Sequence, residues 1–440
     1  MNVVPPSGHR QIWQIAGPMI LANLSTPVLG LVDTAVVGHL EAAHYLGAVA
    51  IGSMIFTLLF WSFGFLRMAT TGLTAQASGR RDQFSINTVL VQSCQLACLI
   101  AAVILILQWP LREIALWLVP GSDAVMVYAS IYFDVRIWAA PATLINYAII
   151  GWLIGCESTR QALLLVLVIN AVNILLDVIL VYALNMHVAG VALASLIAEY
   201  VGLLVGVLII LNPRRYSLDW RQLVRWQSLP VLRPSLIVHG NFMIRTLLLI
   251  SCFAFFTTQG ARQGDTILAA NAVLLNFITF MAFVLDGFAN ATEVLTGKAI
   301  GNRSVTHLKQ ALKLTAFWSA LMAVSFTLVY GFAGKQIIDW LTSIELVAAQ
   351  AKQHLVWVTL APLAGVLSYL MDGLFVGATF SREMRNTMLF CVLFVYLPAW
   401  WVLKGFGNDG LWAALLLFLL ARGLSQSAYI ARIIAKARAD

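Results

Sequence analysis

Asp33 is the residue of this chain whose surroundings most plainly call for chemistry. It lies in the run Val28-Leu29-Gly30-Leu31-Val32-Asp33-Thr34-Ala35-Val36-Val37-Gly38, with no basic residue within one helical turn. A lone carboxylate in apolar surroundings has its charged form disfavoured, so this group is suited to loading and releasing protons at cellular pH. Asn170, Asn173 and Asp177 follow at spacings of three and four, which puts them on one face of a helix. With Ser195 on the next apolar segment they could form an oxygen-rich pocket for a proton network or a Na⁺ ion; interhelical hydrogen bonds alone are the plainer alternative. Further along, Arg245, Asp286, Glu293 and Asp372 also stand in apolar runs. An Arg245–Asp286 or Arg245–Asp372 ion pair is one reading of them. A second polar site that takes a cation or anchors a substrate is the other. Glu199 fits either.

Other chemistries find little support. His39, Glu41 and His44 could be imagined as a metal site, but a short polar loop explains them better. No H-E-x-x-H is present, and Gly297-Lys298 is followed by Ala299, without the upstream glycine of a phosphate loop. No nucleophile–base pair suggests catalysis. The chain is therefore not expected to be an enzyme, and no cofactor is expected beyond a coupling ion.

The elements that must carry these residues follow from composition. Of 440 residues, 61% are hydrophobic and 10% charged, against about 45–50% and about 25% in soluble domains. This excludes disorder and a nucleic-acid surface, and predicts an all-α integral membrane protein. Apolar runs give twelve transmembrane helices, at about 11–37, 46–74, 87–109, 125–153, 161–184, 188–211, 235–259, 266–296, 310–333, 350–378, 387–403 and 410–433. With both termini inside, 18 of the 27 Lys and Arg fall in inside loops and 5 outside, so an N-in, C-in topology is expected. The five cysteines lie in apolar segments and read as packing residues.

The chain also matches itself at a shift of 222 residues. Gly38, Leu46, Ala48 and Ala50 match Gly260, Leu268, Ala270 and Ala272; Leu73-Thr74, Ala77, Gly79 and Arg81 match Leu295-Thr296, Ala299, Gly301 and Arg303; Tyr147, Gly151, Gly155 and Arg160 match Tyr369, Gly373, Gly377 and Arg382. Two six-span units that cross in the same sense should be related by a pseudo-twofold along the membrane normal, an architecture used for alternating access. The expected domains are an N-terminal six-helix lobe at 1–211, a cytoplasmic linker at 212–234 and a C-terminal six-helix lobe at 235–440. The acids do not follow the repeat: Asp33 maps onto Phe255, Asp286 onto Gly64 and Asp372 onto Ile150. Pro18 and Pro27 each remove a backbone hydrogen bond from the first span, so a change of charge at Asp33 could bias its bending.

Four segments together resemble the multidrug and toxic compound extrusion (MATE) family, in its DinF branch. They are Leu31 to Leu40 (LVDTAVVGHL), Leu66 to Gln76 (LRMATTGLTAQ), Leu285 to Ala289 (LDGFA) and Met371 to Ala378 (MDGLFVGA). The resemblance implies two lobes forming a V-shaped cavity and a cation-coupled antiporter, with H⁺ favoured over Na⁺. Such a protein exports organic cations, drugs or toxic metabolites across the inner membrane as a monomer in the lipid bilayer. It also implies that Asp33, Asn173, Asp177 and Ser195 form the cation site, with Na⁺ an alternative ion at the first three. Pro18 is the matching bending position, and Thr26, Asp134 and Asn146 are candidates for further polar positions. A flippase for lipid-linked precursors, from the same superfamily, is the alternative.

Overall fold

Hydrocarbon offers no partner to a free N–H or C=O, so long apolar runs close their hydrogen bonds within themselves. The computed structural model describes residues 8–38, 43–119, 121–213, 216 and 227–439; the Asp33 side chain, His39, Glu41 and most of the expected linker lie outside the described residues. Among the described residues every regular element is helical. The first half holds α1 (His9–Gly38), α2 (Ala43–Ser62), α3 (Phe65–Gly79), α4 (Gln83–Ile106), α5 (Gln108–Leu118), α6 (Asp123–Arg136), α7 (Ala140–Gly155), α8 (Thr159–Val178) and α9 (His187–Ile210). The second holds α10 (Leu229–Ala261), α11 (Asp265–Gly301), α12 (Val305–Leu341), α13 (Glu345–Gln353), α14 (Leu355–Gly377), α15 (Ser381–Phe390), α16 (Leu397–Leu403), α17 (Gly407–Ser427) and α18 (Ile430–Ala439).

Among the described residues, eleven stretches are long and apolar enough to cross a membrane. The last, Ser381–Arg438, contains both of the final expected spans. Between them the chain reverses through a tight turn at Lys404–Phe406 and Gly407, whose φ of +60° suits a residue without Cβ. The second expected span is divided between α2 and α3, and the fourth between α6 and α7, with Pro141 in the first turn of α7.

The sequence repeat reappears as a repeat of contacts. A Cβ added to Gly151 would lie 2.5 Å from the Arg67 carbonyl oxygen and 3.1 Å from Thr70 Cβ; at Gly155 it would lie 2.6 Å from Thr74 Cβ. Shifted by 222, a Cβ on Gly373 would meet the Ala289 oxygen at 2.3 Å and Thr292 Cβ at 2.9 Å, and one on Gly377 would meet Thr296 Cβ at 2.9 Å. Small residues let α7 lie on α3, and α14 on α11, at backbone distance. The helix ends repeat too. Glu157 and its equivalent Thr379 both take left-handed φ, +59° and +54°, and the following N–H groups reach back to Leu153 and Phe375. Asp82 and its equivalent Ser304 cap the next helices by accepting from Ser85 N–H and His307 N–H.

The chain packs as two compact units. One comprises residues up to Ile20, Ala75–Arg81 and Val238 onwards; the other comprises Leu21–Thr74 and Asp82–Ile237. α1 is thus shared, dividing two residues after Pro18, and so is the end of α3. The first turns of α1 join the second-half unit because Trp13 packs edge-on to Phe288, 5.4 Å between centroids, and Ile20 fills the space left by Gly287. The end of α3 joins it because Gly79 and Gly301, equivalents in the repeat, press together. An added Cβ on either would be 2.9 Å from the other's Cα. Such a reciprocal contact is the mark of a local two-fold.

Candidate functional site

Each unit contains a cluster of buried polar residues. In the first-half unit, α8 is apolar except for the stripe Asn170, Asn173, Asp177, and α9 faces it with Ser195. Asp177 is fully buried and Asn173 nearly so. With the Asn173 amide oriented to satisfy both neighbours, its nitrogen donates to Asp177 Oδ2 at 3.0 Å. Its oxygen then accepts from the Ser195 hydroxyl at 2.9 Å and the Ser195 N–H at 3.0 Å. The structure therefore brings together three of the four expected cation-site residues.

The fourth, Asp33, is placed by its helix. Asn170 donates to Ser25 Oγ at 2.8 Å, and the Tyr182 hydroxyl donates to the Val36 carbonyl at 2.9 Å. These two ties run α1 alongside α8, eleven residues apart on one helix and twelve on the other, so position 33 stands level with Asp177. Tyr182 belongs to a single π-helical turn, Ile179–Ala183, that ends α8. Such turns insert an extra residue and re-aim side chains, often at functional sites.

The candidate positions beyond this set separate. Asn170 bonds Ser25, while the neighbouring Thr26 is exposed. Asp134 is also exposed and pairs with Arg112 at 2.9 Å, away from the network, so it does not belong to the site. Asn146 donates to Glu199 Oε2 at 2.9 Å and to its carbonyl at 3.0 Å, which joins α7 to α9 and gives Glu199 a role in packing. His44 stacks on Tyr128, 5.1 Å between centroids.

In the second-half unit Arg245 forms an ion pair with Asp372. Sequence reasoning missed its other members. Arg422 also donates to Asp372 Oδ2, at 2.6 Å, and Gln426 donates to Oδ1 at 3.2 Å. The signal available was one Arg directly after the apolar run Leu411–Ala421 of α17, with no means of choosing its partner. Arg245, Asp372 and Arg422 are all more than nine-tenths buried. Asp286, half-buried on α11, adds a second negative charge acting on Arg245. Two guanidiniums on one carboxylate leave it no attraction for a further cation. Towards the other end of these helices, Asn271, Asn408 and Trp412 form a closed amide–indole network at 2.8–2.9 Å.

A membrane-spanning helical chain built from a doubled six-span unit, with a buried carboxylate network on two packed helices of one unit, is in class a membrane transporter. The MatE family model matches residues 18–179 and again 242–401, once in each half, and the chain belongs to that family. It is 42% identical over 430 residues, 96% of its own length and 92% of the other's, to DNA damage-inducible protein F of Escherichia coli K12. It is 23% identical, over 94% of its length and 92% of the relative's, to the multidrug resistance protein NorM of Vibrio vulnificus YJ016. Its fold matches the bent form of the Vibrio cholerae MATE transporter VcmN with a TM-score of 0.85 and 22% identity, covering 98% of this chain and 97% of that one.

Proposed function

We propose that this chain is an antiporter of the cell's inner membrane that exports organic cations, drugs or toxic metabolites and takes up H⁺ in exchange. The observation that carries the reading is the Asn173 amide between Asp177 and Ser195. An ionised Asp177 only accepts hydrogen bonds, so the amide must offer it N–H. A protonated Asp177 gains a donor and prefers the amide oxygen. Turning the amide over would then present N–H to Ser195, the orientation in which Asn173 donates to Ser195 Oγ at 2.9 Å. One proton thus reverses the polarity of a three-residue chain that stands beside α1.

The described donors suit H⁺ better than Na⁺. A bare metal ion between Asn173 and Asp177 would need the amide oxygen turned to the carboxylate and several further oxygens, whereas the satisfied arrangement aims N–H there. Coupling then works through α1. Asp33 stands level with Asp177, and Pro18 interrupts the backbone hydrogen bonds of α1 close to the point where the helix passes from one unit to the other. Protonation in the carboxylate pair removes charge from that level and favours a bent α1, which releases the exported compound. A bent form is described for the VcmN transporter. Each net charge that crosses about 100 mV supplies roughly 2.3 kcal/mol, enough for about a fiftyfold gradient. The buried Arg245–Asp372–Arg422 group acts in this reading as a neutralised brace, not as a second ion site. Dye efflux from proteoliposomes under separately imposed pH and Na⁺ gradients tests the assignment. Efflux driven by Na⁺ alone would overturn it, and flipping of a labelled lipid without dye efflux would favour the flippase.

A further inference from the structure

The start of α12 carries a feature that transport does not use. A cavity of about 680 Å³ opens there, lined by His9 of α1 and by Thr306, Lys309, Lys313, Leu314 and Phe317 of α12. Lys309 and Lys313 are four apart, so both ammonium groups rise on one face of the helix. Both are exposed, and among the described residues neither is in an ion pair. From Leu314 to Gly334 α12 carries no charged residue. Those 21 residues, at 1.5 Å each, measure about 30 Å, the thickness of the hydrocarbon core. Lys313 therefore stands at its edge and Lys309 a little over one turn beyond, at headgroup depth, while Leu314 and Phe317 begin the apolar side.

The aromatic residues mark the same level. His9 Nδ1 accepts from Trp318 Nε1 at 3.1 Å, and Trp318 packs edge-on to Trp13 at 5.2 Å. Indoles with one wet and one apolar end collect at this boundary. Because His9 Nδ1 is the acceptor, the neutral ring carries its proton on Nε2 and has a further donor to offer. The groove is thus divided: cations and donors at the polar end, ring and aliphatic carbon at the other.

We propose that this groove binds the phosphate headgroup of an anionic phospholipid, with the phosphodiester on Lys309 and Lys313 and the upper acyl chain on Leu314 and Phe317. A zwitterionic lipid would set its own ammonium against the lysines and fits less well. A headgroup seated there holds the first turn of α1 against α12, within a single compact unit. The proposal does not depend on the coupling ion or on the exported compound.

The test is native mass spectrometry of the full chain in detergent, titrated with phosphatidylglycerol, phosphatidylcholine and inorganic phosphate. Phosphatidylglycerol should bind in preference to phosphatidylcholine. Lys309→Gln with Lys313→Gln should weaken it about twenty-five-fold, at roughly fivefold per lysine. Lys309→Arg with Lys313→Arg should keep it, and so should Lys335→Gln at the far end of α12. Both target lysines are exposed, so the variants should fold. The proposal is overturned if phosphatidylcholine binds equally, if the glutamine pair changes nothing, or if Lys335→Gln weakens binding as much. Inorganic phosphate binding as tightly as the lipid would overturn the lipid assignment in favour of a free-anion site.

Discussion

Asp177 and Asp372 are two buried aspartates with opposite surroundings, and their substitutions should part accordingly. Asp177 is held by an amide and Asp372 by two guanidiniums. Asp177→Asn preserves size and leaves no unpaired charge, so the protein should insert and melt normally while pH-driven efflux falls to background. Asp372→Ala strands two buried cations and should cost about 3–5 kcal/mol of stability; thermal unfolding in detergent would read it. Retained stability there would mean that Arg245 and Arg422 are neutralised by other groups. At this scale the sequence was most legible where a residue was out of place. Asn173, Asp177 and Ser195 stood out because polar groups in hydrocarbon need a partner, and the structure brings them together. What stayed hidden was pairing at long range. Arg422 is 50 residues from Asp372, and nothing in the repeat links them. Ser25 and Thr26 are neighbours whose directions differ by about 100° on a helix. Sequence alone could not tell that Ser25 was the one meeting Asn170.

Among the elements, α1, α7 and α14 carry the sharpest expectations. Gly155 and Gly377 lie against backbone oxygens of Thr71 and Glu293 at 2.8 and 2.2 Å from an added Cβ. Gly155→Ala and Gly377→Ala should each destabilise by about 1–3 kcal/mol, as overpacking does. The effects should add, because the two glycines touch different helices. A thermal-shift series of the two single variants and the double variant would show it. Pro18→Ala should act the other way. Restoring a helix-compatible residue favours a straight α1 by up to about 3 kcal/mol. Stability should therefore rise while turnover drops, as read by melting and dye efflux on one preparation. The spans were legible because hydrophobic length is a strong signal. Their interruptions were less so: the turn at Gly407 falls in the expected gap between the last two spans, but the break between α2 and α3 rests on a single turn inside an unbroken apolar run. The glycine spacings did announce close packing, and the structure shows which backbone each one meets.

For the whole chain, duplication organises the result. Equivalent helix ends, caps and glycine contacts recur at 222 residues, yet the buried acids do not. A doubled scaffold with undoubled chemistry fits a transporter in which one half holds the coupling ion. The repeat was readable from weak identities in one register. The division of α1 and α3 between compact units was not, because it depends on Trp13, Ile20 and Gly79 finding partners more than 200 residues away. The central claim is that protons, exchanged at Asp177 and Asp33, drive export. Its most direct measurement is efflux of a cationic dye from proteoliposomes under an imposed pH gradient without Na⁺, compared among the unmutated chain, Asp177→Asn and Asp33→Asn. The account predicts efflux that the pH gradient drives in the unmutated chain and fails to drive in either variant. Equal gradient-driven efflux in all three would contradict it.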